Sequence, residues 1–224
     1  ELAQQVERVF VLEPALGEDG RLKTARKGVG TFYLNVEGRA AHAGLDPQKG
    51  ASAIVELAHQ IQQLSALTDL TRGVTVNVGV VAGGVGANVI APSSSAVVDV
   101  RVPTAAVAAE VSAAVRGLRA VTPGTSVTIK GAINRPPLEQ TPANRTLWRL
   151  AQSTAASLDL HLEEGMAGGG SDGNFTSQYA ATLDGLGAVG DGAHALHEFI
   201  YLDKMVERAA LLALLLLAPP LGES

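Results

Sequence analysis

Apolar residues recur at alternate positions in four stretches between residues 28 and 137. These stretches carry their apolar side chains on one face, at Phe32, Leu34 and Val36, at Val74, Val76, Val78 and Val80, at Val98, Val100 and Val102, and at Val127, Ile129 and Ile133. Because successive side chains of a strand point to opposite faces, each stretch predicts a β-strand with one buried face.

Two stretches between these strands have helical spacing instead. Their apolar residues are Ile54, Leu57, Ala58, Ile61 and Leu64 in the first, and Val107, Val111, Val115 and Leu118 in the second. This spacing is typical of amphipathic helices. The order β-α-β-β-α-β predicts a ferredoxin-like α+β layer in which both helices cover one face of an antiparallel sheet.

The flanking segments have a different pattern. Val9 to Leu12 is a continuous apolar run, suited to a strand that is covered on both faces. After Pro142 come a helix, a glycine-rich loop and an apolar terminal helix, Ala209 to Ala218, which we expect to be buried and to end at Pro219. We therefore predict that residues 1–27 and 138–224 form an incomplete α/β domain with a mixed sheet and helices, interrupted by residues 28–137. Since the first residue is Glu1 rather than Met, we also expect a segment upstream.

Composition narrows the classes of protein. Hydrophobic residues make up 46% of the chain and charged residues 17%, which excludes a disordered chain. The net charge is -5 with no basic stripe, so we expect no nucleic-acid partner. There is no cysteine, so a transition metal must be bound by His, Asp or Glu. The longest apolar run is about half of a membrane-spanning helix, and we expect no membrane partner.

Polar residues with possible roles follow the predicted strands. Glu13 ends a buried strand, where it could coordinate a metal or substrate, or simply be an exposed loop acid. His42 lies among small residues, Gly38 to Gly44, so a substrate could approach it closely and its imidazole could donate to an oxyanion. An ordinary loop histidine is the alternative.

Further candidates lie later in the chain. Asn88 follows the glycine-rich stretch 83–86, which lacks the Lys-Ser/Thr pair of a phosphate loop, and its amide could reach a ligand carboxylate. Arg101 lies on the face of its strand opposite the valines. By itself this position indicates an arginine that is exposed to solvent. His194, four residues before Glu198, is a plausible zinc ligand. The basic cluster at Arg21, Lys23, Arg26 and Lys27 is interpreted as a solvated linker.

Residues 169–173 match the G-x-S-x-G pattern of a serine nucleophile at Ser171. Asp184, Asp191 and His194 follow in the order of an α/β-hydrolase triad. The pattern requires a buried strand directly before the serine, whereas residues 161–167 are short and polar. A serine hydrolase is therefore the third hypothesis for this chain.

Together these motifs resemble the di-zinc amidohydrolases and metallopeptidases that include aminoacylase, acetylornithine deacetylase, succinyl-diaminopimelate desuccinylase and the bacterial glutamate carboxypeptidases. The similarity rests on Leu-Glu-Pro at 12–14, Gly-Arg-Ala-Ala-His-Ala-Gly at 38–44, Ala-Asn-Val-Ile-Ala-Pro at 87–92, Asp-Val-Arg at 99–101, and Gly-Gly-Gly-Ser-Asp at 168–172 followed by Gly-Ala-His at 192–194. The inserted β-α-β-β-α-β block agrees with the lid and dimerisation domain of that family.

The resemblance implies roles for individual residues. Glu13 and His194 would each bind one of two zinc ions, and His42 would stabilise the oxyanion, reaching into the partner subunit of a homodimer. Asn88 and Arg101 would hold the free carboxylate of the substrate, and Gly169 and Gly170 would line its pocket. An edge strand or the first helix of the lid would form the dimer interface. The implied reaction is zinc-assisted hydrolysis of an acyl-amino-acid or peptide bond.

This chain departs from the family in one respect. The family supplies a His-x-Asp pair, a bridging Asp and a Glu-Glu pair from an N-terminal segment, ahead of the Leu-Glu-Pro motif, that has no counterpart here, and two ligands do not close a zinc site. We therefore expect the isolated chain to be inactive and to hold little or no zinc. The leading hypothesis is the C-terminal portion of a zinc-dependent carboxypeptidase or N-acyl-amino-acid amidohydrolase, for which the cytoplasm is the favoured compartment. The alternative is a non-catalytic dimerisation or binding module with the same fold.

Overall fold

The computed structural model describes residues 2–221 of the chain. The chain divides into two compact units. One runs from Gly28 to Pro136 and is called the inserted unit below. The other, the flanking unit, is formed by the residues up to Lys27 and those from Pro137 onward.

Ten strands and five α-helices are found in the described residues. The strands are β1 (Arg8–Phe10), β2 (Leu22–Arg26), β3 (Gly28–Glu37), β4 (Thr75–Gly83), β5 (Ser93–Val102), β6 (Ser126–Arg135), β7 (Glu164–Ala167), β8 (Ala181–Leu183), β9 (Gly190–Asp191) and β10 (Phe199–Ile200). The helices are α1 (Ala53–Ser65), α2 (Ala105–Gly117), α3 (Pro142–Ala156), α4 (Gly173–Thr176) and α5 (Leu202–Leu217), with 3₁₀ turns at Leu2–Gln4 and Pro47–Lys49.

The inserted unit is a four-stranded antiparallel sheet in the order β4-β5-β3-β6, packed against α1 and α2. The two helices are capped at their N-termini by Ser52 and Thr104, whose hydroxyls accept hydrogen bonds from the backbone nitrogens of Val55 and Val107. The core consists of the predicted apolar faces, including Phe32, Leu34, Val98, Val100, Leu57, Leu64, Val111 and Val115. The fold class predicted for this part of the chain is confirmed.

The prediction for one core position is wrong. Val80 does not share a face with Val76 and Val78, because the register of β4 against β5 shifts between residues 78 and 80. Val80 is opposite Val97 on the other face of the sheet and is 59% exposed. A β-bulge of this kind inserts one residue and reverses the alternation beyond it, which a strict period of two does not anticipate.

The flanking unit contains two parallel strand pairs, β1 with β8 and β2 with β7, and the antiparallel pair β9 and β10. Helices α3 and α5 pack against each other. The core of this unit comprises Leu22, Leu147, Trp148, Ala151, Ala155, Leu162, Ala181, Leu183, Leu186, Leu211 and Leu215. The mixture of parallel and antiparallel strands with helices is the predicted α/β class.

Two predictions about burial in the flanking unit need correction. Helix α5 is buried along one stripe that includes Leu211 and Leu215, whereas Leu217 is 82% exposed, so the apolar run does not make a fully buried helix. The basic cluster is not a solvated linker, because Lys23 and Arg26 lie in the buried strand β2. No helix among residues 2–221 is long and apolar enough to cross a membrane.

Candidate functional site

Glu13 lies in the loop after β1. The backbone nitrogen of Gly187 donates a hydrogen bond to the Glu13 carbonyl at 2.9 Å. A side chain at 187 would clash there, because a Cβ atom would lie 2.4 Å from the carbonyl oxygen of Leu12. The glycine therefore lets the loop that follows β8 approach the segment that carries Glu13, while the Glu13 side chain stays exposed.

His194 lies in the turn that joins β9 to β10. Its backbone has φ of 67°, in the left-handed region that few residues other than glycine adopt. The two strands meet closely at Gly190, where a Cβ atom would lie 1.9 Å from the carbonyl oxygen of Phe199. This short hairpin presents His194 and Glu198 as exposed side chains in a turn that precedes α5.

Glu13 and His194 line the same cleft of the flanking unit, which has a volume of about 520 Å³. Gly169 and Gly170 also line it, so four of the seven predicted site residues lie together. Strand β2 contributes Lys23 and Arg26 to the same wall, and the turn contributes Glu198. We call this space the flanking-unit cleft.

A buried ion pair supports one wall of the flanking-unit cleft. Arg26 Nε and Nη2 donate to Asp184 Oδ2 and Oδ1 at 2.7 and 2.9 Å, and Arg26 Nη1 donates to the carbonyl of Gly169 at 3.0 Å. The side chains are 4% and 0% exposed. The sequence did not predict this pair, since 158 positions separate the two residues and the local motifs that contain them, a basic cluster and a triad-like order of acids, do not connect one with the other.

Ser171 belongs to the same network. Its hydroxyl donates to Asp184 and accepts from the backbone nitrogen of Gly173 at 3.1 Å. The residue is 5% exposed. Because its hydroxyl is bonded to a carboxylate that Arg26 already engages, and not to a histidine, it lacks the base that activates a serine nucleophile. The geometry thus favours a structural role for Ser171.

The described residues do not form a complete metal site. Between residues 2 and 221 no group of three or more His, Asp or Glu side chains is arranged to hold a metal ion. Glu13 and His194 are suitable oxygen and nitrogen donors, but zinc requires at least three protein ligands in catalytic sites. The cleft therefore offers part of a donor set.

His42 and Asn88 lie side by side in the inserted unit. The segment 41–43 pairs with 88–90, through the nitrogen of Ala43 donating to the Asn88 carbonyl at 2.9 Å and an antiparallel bridge between His42 and Val89. His42 Nδ1 accepts from the backbone nitrogens of Gly44 and Leu45, each at 3.2 Å. In the neutral ring, Nε2 then carries the proton and is the hydrogen-bond donor of the side chain.

Arg101 lies on β5, on the face away from the helices. Its Nε and Nη2 donate to Asp99 Oδ1 and Oδ2 at 2.8 and 2.9 Å. The arginine follows Ser93 by eight residues, which is about 26 Å at the usual rise of a strand. Asn88 precedes Ser93, in the connection at the opposite end of the sheet. Within one copy of the inserted unit, Asn88 and Arg101 are therefore too far apart to hold the same carboxylate.

An apolar groove of about 300 Å³ lies between α1 and β4. It is lined by Ile54, Leu57, Ala58, Ile61, Val81, Ala82 and Gly83. Strand β4 is an edge strand of the sheet, and Val80 and Val81 on it are 59% and 57% exposed. An open edge beside an exposed apolar patch is typical of an interaction surface.

The inserted unit is similar in sequence to part of several known peptidases. Residues 24–122 match the family described as "Peptidase dimerisation domain". Carboxypeptidase G2 of a Pseudomonas species is 28% identical over 101 residues, which are 45% of this chain and 24% of that protein. A peptidase M20 domain-containing protein of Schizosaccharomyces pombe is 36% identical over 89 residues, which are 38% of this chain and 22% of that protein.

Solved structures extend the similarity along the chain. Aminopeptidase PepT of Bacillus cereus superimposes with a TM-score of 0.78 and 20% identity over 95% of this chain and 58% of its own. A Bacillus subtilis protein described as a dinuclear metal binding peptidase from the M20 family superimposes with a TM-score of 0.70 and 18% sequence identity. The superposition covers 96% of this chain and 57% of that protein. Residues 24–122 therefore match the family of peptidase dimerisation domains and the chain has the fold of the M20 peptidases, which confirms the resemblance inferred from its motifs. It spans less than 60% of the length of these relatives.

Proposed function

We propose that this chain is part of a zinc-dependent carboxypeptidase or N-acyl-amino-acid amidohydrolase, which hydrolyses an amide bond next to a free carboxylate. The observation that carries the proposal is that Glu13 and His194 line the same flanking-unit cleft, although 180 residues lie between them in the sequence. Under this proposal they are two of the zinc ligands, and the remaining ligands and the general base come from residues outside this chain. The 224 residues alone should then be inactive.

We propose that His42 donates from Nε2 to the oxygen of the scissile carbonyl. Its support is the pair of backbone hydrogen bonds to Nδ1, which hold the ring and select the tautomer before the substrate binds. A donor that is already oriented stabilises charge as it develops on the oxygen, without reorganisation.

We further propose that the functional form is a homodimer and that Asn88 and Arg101 from different copies hold the substrate carboxylate. The support is their separation within one copy, together with the family match of residues 24–122. The groove between α1 and β4 is the proposed interface, because pairing of two β4 edges would extend the sheet and cover the exposed Val80 and Val81.

The test uses the complete reading frame that contains these residues, assayed for hydrolysis of N-acyl amino acids before and after chelation. Activity should vanish on chelation and return with zinc. Glu13→Gln and His194→Gln should each lower bound zinc, measured by atomic emission, whereas the exposed Glu163→Gln and His161→Gln should not.

Three outcomes would contradict the proposal. Hydrolysis that survives full chelation would exclude metal dependence. Hydrolysis that is lost in Ser171→Ala and labelling of Ser171 by a fluorophosphonate would favour the serine hydrolase. The absence of any amide hydrolysis in the complete protein with zinc would favour the non-catalytic module.

A further inference from the structure

The peptide bond between Gly169 and Gly170 lies in the wall of the flanking-unit cleft, and both residues are exposed. The Gly169 carbonyl accepts a hydrogen bond from Arg26 Nη1 at 3.0 Å, and the Arg26 side chain is 4% exposed. In a trans peptide bond, the carbonyl of one residue and the N–H of the next point in opposite directions. Since this carbonyl points to a buried arginine, the N–H of Gly170 points away from it, toward the open side of the loop.

The N–H of Gly170 has no acceptor in the part of the protein that the structure describes. The next nitrogen along the chain, that of Ser171, donates to Asn174 Oδ1 at 2.8 Å, whereas no oxygen of the described residues accepts from Gly170. Apart from its chain neighbours, a Cβ atom at Gly168 or Gly169 would meet nothing within 4 Å, so there is open space beside this loop. Water satisfies such an exposed N–H, and an oxygen of a ligand can replace that water.

Arg26 can hold this peptide in one orientation because its own position is fixed. Its Nε and Nη2 donate to Asp184 at 2.7 and 2.9 Å, which leaves Nη1 for the Gly169 carbonyl. The planar guanidinium thus serves a carboxylate and a carbonyl at fixed angles, which a lysine ammonium with its single nitrogen does not do. Without this contact the peptide between the two glycines would be free to rotate, because glycine adopts more backbone conformations than any other residue.

We propose that Arg26 is a positioning residue for substrate binding, which directs the Gly170 N–H at an oxygen of the N-acyl amino acid by holding the Gly169 carbonyl. This inference rests on the proposed function, in which the same cleft holds the substrate. Arg26 does not touch the substrate and acts only through the peptide of the loop. A donor that is oriented before binding loses little conformational freedom when the hydrogen bond forms, so the contact strengthens binding.

Binding is measured in the complete protein that contains these residues, with N-acetyl-L-alanine as the probe. Calorimetry gives the affinity, and isotope-labelled glycine reports the amide of Gly170 by NMR, with Gly170→Ala assigning the signal. The ligand should shift this amide proton downfield, because a new hydrogen bond deshields it. Arg26→Lys keeps a positive charge beside Asp184 but loses the bond to the carbonyl, and should weaken binding about fivefold and remove the shift.

The control for Arg26→Lys is Arg145→Lys. Arg145 is a partly exposed arginine of the same unit, pairs with Glu164 and lies outside the lining of the flanking-unit cleft, so its substitution should change neither the affinity nor the Gly170 signal. A second comparison leaves the buried ion pair intact. Gly170→Pro removes the N–H and should weaken binding more than Gly170→Ala, which keeps it. Unchanged affinity in Arg26→Lys, or equal binding by the two Gly170 variants, would overturn the inference.

Hydrolysis of N-acetyl-L-alanine by the complete protein separates this inference from the proposed function. Arg26→Lys should raise KM about fivefold with kcat little changed, because the contact is already made when the substrate binds. A lower kcat at unchanged KM would indicate a merely structural role, which overturns the inference and leaves the proposed function standing. If no N-acyl amino acid is hydrolysed while the Gly170 shift persists and is lost in Arg26→Lys, the proposed function fails and the role of Arg26 in binding stands.

Discussion

The guanidinium of Arg26 and the carboxylate of Asp184 form a two-pronged ion pair, with N to O distances of 2.7 and 2.9 Å. Both side chains are almost inaccessible to solvent. The third nitrogen of Arg26 donates to the Gly169 carbonyl and the hydroxyl of Ser171 donates to Asp184, so one buried pair joins β2 to the glycine loop of the flanking-unit cleft. The loop that contains the predicted substrate-binding glycines is thus fixed in place by this buried ion pair and its hydrogen bonds.

Asp184→Asn should destabilise the flanking unit by about 3 kcal/mol, because it leaves the buried guanidinium of Arg26 without a counter-ion. Urea unfolding followed by the fluorescence of Trp148, which lies in the core of this unit, measures the loss. The control is Glu110→Gln in the inserted unit, which breaks the exposed two-pronged pair with Arg72 and, in urea unfolding followed by circular dichroism, should lower stability far less. Equal effects of the two substitutions would refute the importance of burial.

Glu56 should make the stability of the inserted unit depend on pH. It is fully buried on α1, and its carboxylate accepts hydrogen bonds from the nitrogens of Val121, Thr122 and Gln60. Burial alone would raise the pKa of Glu56, but these hydrogen bonds lower it below its ordinary value of 4.5. A lowered pKa in the folded state means that the carboxylate stabilises the fold above the unfolded-state pKa and that this contribution disappears as the pH falls through the folded-state pKa.

Glu56→Gln should therefore cost about 2 kcal/mol at neutral pH, because an amide replaces an ionised acceptor of several hydrogen bonds. The difference from the unmodified protein should shrink once the pH falls below 4.5. Urea titrations monitored by circular dichroism at a series of pH values measure this difference in the free energy of unfolding. Glu37→Gln, at an exposed position of β3, serves as the control and should change stability little at any pH.

The proposed arrangement, in which His42 and Arg101 of one substrate site come from different copies, predicts complementation. In the complete enzyme, His42→Ala should lower kcat by about 100-fold or more, as expected for loss of an oxyanion donor, whereas the exposed His59→Ala should not. His42→Ala and Arg101→Ala dimers, unfolded and refolded together, should recover roughly a quarter of full activity, since half of the dimers are mixed and each mixed dimer has one intact site. A mixture no more active than its components would show that both residues act within one copy.

The groove between α1 and β4 should control the oligomeric state. Val81→Glu places a charge in the apolar lining beside the open edge of β4, and should convert the dimer to a monomer in light scattering and sedimentation. Leu70→Glu alters an equally apolar and more exposed residue of the same unit, outside this groove, and should leave the dimer intact. If the Val81→Glu variant remained a dimer, the interface would have to lie outside this groove.

The elements of the inserted unit could be predicted from sequence because each of them buries one face. Alternating residues such as Phe32 and Leu34 must all point to the core of a strand, and residues spaced like Leu57 and Leu64 must share one face of a helix. Their order in the chain then allows few topologies. Local motifs also selected Glu13 and His194 as candidates, and the structure places both in the lining of one cleft, while their role as metal ligands stays a prediction.

Pairing between distant segments could not be predicted in this way. The bulge that turns Val80 outward depends on the register of β4 against β5, and the burial of Lys23 and Arg26 depends on strand β7 and on Asp184, far away in the chain. The sequence by itself determined which segments become strands and helices, because periodicity is a local property of burial. Only the tertiary structure decided that Asn88 and Arg101 lie at opposite ends of one sheet and that Lys23, Glu13 and His194 line one cleft. The reason is that contacts between distant residues depend on how the elements pack.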